Sequence, residues 1–129
     1  MKLIRKILAT GATLTAAGTM LVTAVPSAHA ATGLSSLQQG SSGLGVACAQ
    51  WTENVFLQPK TPLSVDGDFG PATYNATVQY QRENGLAQDG IIGPNTGSTI
   101  MSFINSFSDA QFWNGHRLSE CYNAVPTSY

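Results

Sequence analysis

Three aspartates lie where turn geometry and chemistry both favour a carboxylate. Asp66 and Asp68 stand two residues apart in Val65-Asp66-Gly67-Asp68-Phe69-Gly70-Pro71-Ala72-Thr73, and Asp89 opens a second stretch of the same kind. Glycoside cleavage uses paired carboxylates, one as acid and one as nucleophile or base. Asp66 and Asp68 also mimic the first ligands of a calcium loop. That pattern then fails: Gly70 falls at the fifth position and Thr77 at the twelfth, where a bidentate Glu is required. A second acid–base set, His116 with Asp109 and Glu120, lies near the C-terminal end. Beyond residue 30 His116 is the sole histidine, and beside Arg117 it reads as a surface residue. The chain shows no serine nucleophile elbow and no pattern of three or four zinc ligands. Asp66 and Asp89 have structural work in their turns. The reading is therefore of a non-enzyme with no catalytic residue, no metal and no cofactor.

The carboxylates sit in a repeat. Asp89-Gly90-Ile91-Ile92-Gly93-Pro94-Asn95-Thr96 restates the earlier stretch as Asp-Gly-x-(Phe/Ile)-Gly-Pro-x-Thr, with Asp66 and Asp89 23 residues apart, as are Pro71 and Pro94. Each copy has a mechanical meaning. Asp-Gly makes a tight turn, since Gly accepts positive φ and the Asp side chain bonds nearby amides. Phe69 or Ile92 then points into a core. Gly70-Pro71 and Gly93-Pro94 open helices, with Pro suited to the first helical position. Asp66, Gly67, Phe69, Gly70 and Pro71, with Asp89, Gly90, Ile92, Gly93 and Pro94, are accordingly structural.

Around these units the pattern predicts three helices. The first runs from Gly45 to about Leu57 and stops before Pro59. The second runs from Pro71 to about Asn84, with Gly85 at its C-terminal stop. The third runs from Pro94 to about Asn105. Residues 1–30 read as a signal peptide: a basic start at Lys2, Arg5 and Lys6, an uncharged run, and a small-x-small site at Ala28-His29-Ala30. Cleavage is expected after Ala30. Residues 31–39 are then a flexible lead-in, 40–105 the domain and 106–129 a C-terminal tail.

From residue 31 onward only Lys60, Arg82 and Arg117 oppose seven acidic residues, a net charge of −4. Nucleic acid and anionic membrane surfaces are excluded as partners, because both need a basic face. The expected protein is secreted, extracellular or wall-associated, and monomeric, with no membrane contact after cleavage. Cys48 and Cys121 are an even pair in a secreted chain, which favours a disulfide over two free thiols.

Taken with Gly40-Ser41-Ser42-Gly43, Val46, Gln50, Tyr80-Gln81 and Asn84-Gly85-Leu86, the twin units resemble the peptidoglycan-binding domain type 1 family over Leu37 to Ile104. The resemblance implies an all-α fold, a compact three-helix bundle that docks on bacterial cell-wall peptidoglycan and performs no chemistry. In the family such a module usually targets a hydrolase; the short lead-in and tail are expected to leave no room for one here. Gln50 and Gln81 match family positions and read as structural hydrogen-bonders. Four places depart from the pattern. Ala49 and Glu53 stand where the family has Leu, Thr77 where it has an apolar residue, and Gly97 where Trp is frequent. These changes thin the core, and a Glu on a core face is costly unless paired.

At about 100° per residue, Val46, Ala49, Gln50, Glu53, Phe56 and Leu57 share the core side of the first helix. Cys48, Trp51 and Val55 form a second strip. A Cys48–Cys121 bond would staple the aromatic tail over that strip, with Trp51 beneath it. The competing reading makes Trp51 a sugar-stacking platform. For ligand contact, a groove of polar residues is expected from Tyr74, Gln79 and Arg82 on the second helix and Asn95 at the start of the third, where backbone amides are free. The function expected is non-catalytic binding of bacterial peptidoglycan. The alternative is a secreted protein-interaction or inhibitor domain on the same fold that has lost wall binding.

Overall fold

The computed structural model describes residues 33–128. The predicted signal peptide, 1–30, lies outside the described residues. Three helices are present: α1, Leu44–Leu57; α2, Pro71–Glu83; and α3, Pro94–Ile104. A short antiparallel hairpin follows, β1 at Gln111–Trp113 and β2 at His116–Arg117, and then a 3-10 helix at Leu118–Asn123. Among the described residues no helix is long and apolar enough to cross a membrane.

The helix boundaries follow from local chemistry. Pro71 and Pro94 occupy first-turn positions behind extended Gly70 and Gly93, where the missing N–H costs nothing. After α2, Gly85 adopts φ +69. Its N–H donates to the Arg82 carbonyl while the Leu86 N–H reaches back to the Gln81 carbonyl at 2.8 Å. That paired closure satisfies the last carbonyls of the helix and needs a left-handed residue. α1 ends instead on Gln58 in the left-handed region, at φ 47.

The three helices enclose Val46, Ala49, Phe69, Tyr80, Ile92, Ile100, Met101 and Ile104. The tail completes that core rather than covering it from outside. Leu118, Cys121 and Val125 belong to the same buried cluster, and Pro126 is fully buried. Cys121 is bonded to Cys48 of α1, with the Cα atoms 6.0 Å apart. Trp51 lies half-buried beneath the tail, edge-on to Phe107 at 5.3 Å and to Phe112 at 6.2 Å.

Two places explain how the tail fits. A Cβ on Gly97 would sit 1.7 Å from the Pro126 carbonyl oxygen, and one on Gly45 would sit 2.3 Å from that of Ala124. Two glycines on separate helices thus make a slot for the backbone of residues 124–126. The departure at Gly97 is not a thinned core: tail backbone takes the space where the family often has Trp.

Two local features add to the expected helical fold. In the lead-in, Leu37 exchanges both backbone hydrogen bonds with Ile92, at 3.0 and 2.8 Å. This short bridge ties the lead-in to the second turn unit. The tail also carries a short hairpin beside the helices. Asn114 and Gly115 both have positive φ, 43 and 86, and Asn-Gly is the strongest short hairpin signal there is.

Candidate functional site

Each turn unit is held by a glutamine from the helix before it. Gln50 of α1 donates through Nε2 to Asp66 Oδ1 at 2.9 Å, to the Asp68 carbonyl at 3.0 Å and to Thr73 Oγ1 at 3.0 Å. Its Oε1 accepts from the Asp66 and Gly67 amides. Gln81 of α2 does the same for the second unit. It donates to Asp89 Oδ1 at 2.9 Å, the Ile91 carbonyl at 2.9 Å and Thr96 Oγ1 at 3.1 Å, and it accepts from the Gly90 amide at 2.9 Å. The aspartates close their own turns as well: Asp66 accepts from the Asp68 amide and Asp89 from the Ile91 amide, both at 2.9 Å. The Asp68 amide, followed by Gln50, holds the Asp66 carboxyl below the ordinary carboxylate range.

An open cleft adjoins each latch, of about 370 Å³ at the first unit and about 280 Å³ at the second. Eight residues of the second repeat, from Leu86 to Thr96, line its cleft. Each has a counterpart 23 positions earlier lining the first. A third groove of about 280 Å³ runs between α1 and α2, with Leu57, Leu63, Asn75 and Gln79 on its walls and Glu53 beneath.

Glu53 is 1% exposed. Its Oε1 accepts from Thr77 Oγ1 at 2.7 Å. The departures at 53 and 77 are therefore a matched pair, an acid and a hydroxyl bonded across the α1–α2 contact. Burial pushes the Glu53 pKa up to about 8, against a smaller opposing effect of the Thr77 bond. At neutral pH the group is a neutral acid. Glu53 Oε2 and the Tyr80 hydroxyl are buried without a hydrogen-bond partner. The Tyr80 pKa is raised, mainly by burial and then by proximity to Glu53.

The four residues expected to form one ligand groove are not gathered in any described cavity. Gln79 is exposed on the α1–α2 groove. Asn95 is exposed in the cleft of the second unit. Tyr74 is half-buried, its ring lying where a Cβ on Gly90 would stand 2.1 Å from Cε2. Arg82 is exposed on the last turn of α2. The physical reason is helical period. At about 100° per residue, Tyr74 and Gln79 point roughly 140° apart.

The acid–base set in the tail has other work. Asp109 Oδ2 accepts from Arg117 Nε at 2.7 Å and Oδ1 from the Ser119 amide at 2.9 Å. Glu120 accepts from the Arg117 amide at 2.8 Å and lies 2.9 Å from His116 Nδ1. Asp109 is thus turned toward Arg117, while Glu120 closes the start of the 3-10 helix. Both carboxyls are held below the ordinary range, Asp109 chiefly by Arg117 and Glu120 chiefly by His116. Among the described residues no group of three His, Cys, Asp or Glu side chains is placed to hold a metal ion.

Three short helices with latched turns and open clefts define a small helical module. Residues 55–100 match the family model described as a putative peptidoglycan binding domain, the family that the twin motifs resemble. The chain is 42% identical over 64 residues to a zinc D-Ala-D-Ala carboxypeptidase of Streptomyces albus G, covering 50% of this chain and 25% of that protein. It is 66% identical over 32 residues to the N-acetylmuramoyl-L-alanine amidase CwlM of Mycobacterium tuberculosis, covering 25% of this chain and 8% of that protein. The chain thus spans a quarter or less of the length of these relatives. No solved structure matches it.

Proposed function

We propose that this chain is a secreted, non-catalytic protein that binds bacterial peptidoglycan. Residues 40–105 form the binding module, and residues 106–129 are its C-terminal tail, of which Leu118, Cys121 and Val125 complete the core. The observation that carries the reading is the family match over the twin units, together with relatives whose names place them on wall chemistry. The ligand surface comprises the clefts beside the two latches together with the exposed polar side chains of α2. Exposed Asn95 and Gln79 offer hydrogen bonds to amides and hydroxyls of the polymer, and Arg82 offers a charge to a stem-peptide carboxylate. Asp66 and Asp89 are committed to their turns, so the module recognises the wall without cleaving it.

Cosedimentation with purified sacculi tests this. From residue 31 onward the net charge is −4, so attraction to an anionic wall has no electrostatic source, and specific binding persists as salt rises. The expected result is pelleting at both low and high salt with no release of soluble muropeptides. Failure of the folded protein to pellet would overturn the reading, and muropeptide release would overturn its non-catalytic part.

A further inference from the structure

Among the described residues three large apolar side chains stand most exposed, and two of them, Phe107 at 41% and Tyr122 at 42%, face the same small cleft. The cleft measures about 120 Å³. Buried Ile104 and Leu118 form its floor, and exposed Asn105 and Asp109 stand on its rim. Apart from the end of α3, it is built by the tail and lies outside the segment matched by the family.

The two rings are held in place although they face solvent. Phe107 packs edge-on against Trp51 at 5.3 Å and tilted against Phe103 at 5.0 Å. The Tyr122 hydroxyl donates to Asn105 Oδ1. Groups fixed before binding lose less entropy when a ligand arrives. The rim supplies both hydrogen-bonding senses. The Asn105 amide NH2 has no partner among the described residues, and the Asp109 carboxylate is fixed and ionised beside Arg117.

These features select one kind of occupant. A protein partner buries about 800 Å² per side, far more than two rings over a two-residue floor provide. An anionic group would meet Asp109. A neutral pyranose has an apolar C–H face to lie on an aromatic ring and hydroxyls at its edge to reach a polar rim. We propose that the Phe107–Tyr122 cleft is a glycan subsite that stacks one neutral pyranose ring of the wall polysaccharide. This rests on the peptidoglycan-binding reading and adds a subsite separate from the clefts of the twin units. Trp51 serves it from behind, as the prop of Phe107.

Two measurements on the disulfide-intact protein test the subsite. One is titration with the soluble tetramer of N-acetylglucosamine, followed by amide NMR shifts. The other is sacculus pelleting of wild type, Tyr122→Ala, Tyr122→Phe and Phe107→Ala, each checked for folding by circular dichroism. The expected result is shifts confined to residues around Asn105, Phe107, Ser119 and Tyr122. Sacculus affinity should fall about three- to tenfold for Tyr122→Ala and recover in Tyr122→Phe, which keeps the ring. Wild-type pelleting with no shifts, and no loss in either alanine variant, overturns the subsite and leaves wall binding standing. Absence of wild-type pelleting overturns the broader function, while the tetramer titration still decides the cleft. Loss of a secreted protein partner in Tyr122→Ala, with no sugar response, overturns the subsite in favour of protein docking.

Discussion

Gln81 replaces what would otherwise be several separate turn contacts. One side chain satisfies the Gly90 amide, the Ile91 carbonyl, the Asp89 carboxylate and the Thr96 hydroxyl. Gln81→Ala takes the partner from the buried Gly90 amide and Thr96 hydroxyl, and each buried group left unpaired costs about 1–3 kcal/mol. The expected loss of stability is about 2–4 kcal/mol in urea denaturation; a loss under 1 kcal/mol would mean that water replaces the latch. Glu53 makes a prediction of the opposite sign. Its folded pKa, about 8, lies above the ordinary 4.5. Between those values the unfolded chain sheds the proton while the folded chain keeps it, so stability falls as pH rises through that window and is lowest above it. The effect amounts to a few kcal/mol. Glu53→Gln keeps an acceptor for Thr77 and removes the titration. It should match wild type near pH 4.5 and exceed it at pH 8. An unchanged pH slope in the variant would show that another group is responsible.

At the scale of elements, the decisive contact joins α3 to the tail. Gly to Ala within a helix ordinarily gains up to about 1 kcal/mol. At Gly97 the new methyl would meet the Pro126 carbonyl at 1.7 Å and Val125 Cγ1 at 3.1 Å. Gly97→Ala is therefore expected to destabilise by about 1–3 kcal/mol, as overpacked cores do. Thermal unfolding checks it, and a raised Tm would show that the tail does not dock there. Restoring the Trp frequent in the family should be worse, because the ring and residues 125–126 need the same space. α2 was legible from Pro71 to its Gly85 stop because both ends carry signals within a few residues. The hairpin after α3 had its Asn114-Gly115 signal too, but three- and two-residue strands are too short to show alternation. The lead-in bridge from Leu37 to Ile92 has no local signal, since its partner is far along the chain.

For the whole molecule, the Cys48–Cys121 bond spans 73 residues. In the chain-entropy picture a loop of that length contributes about 4 kcal/mol. Replacing both cysteines with Ser should lower stability by that order, and hydrogen exchange should open residues 118–127 before the helices. Uniform opening would show that the tail and the bundle are one cooperative unit. The sequence alone determined the three helices, the twin turns and the disulfide partners, because these follow from motifs of adjacent residues and from a count of two cysteines. It also marked Glu53, Thr77 and Gly97 as departures. Only the tertiary structure decided what those departures meant. Glu53 and Thr77 lie on different helices and bond to each other, and Gly97 faces a segment nearly 30 residues away. The expected groove of Tyr74, Gln79, Arg82 and Asn95 dispersed for the same reason. Helical period turns side chains of one helix to different faces, and only packing decides which of those faces closes and which remains open to a ligand.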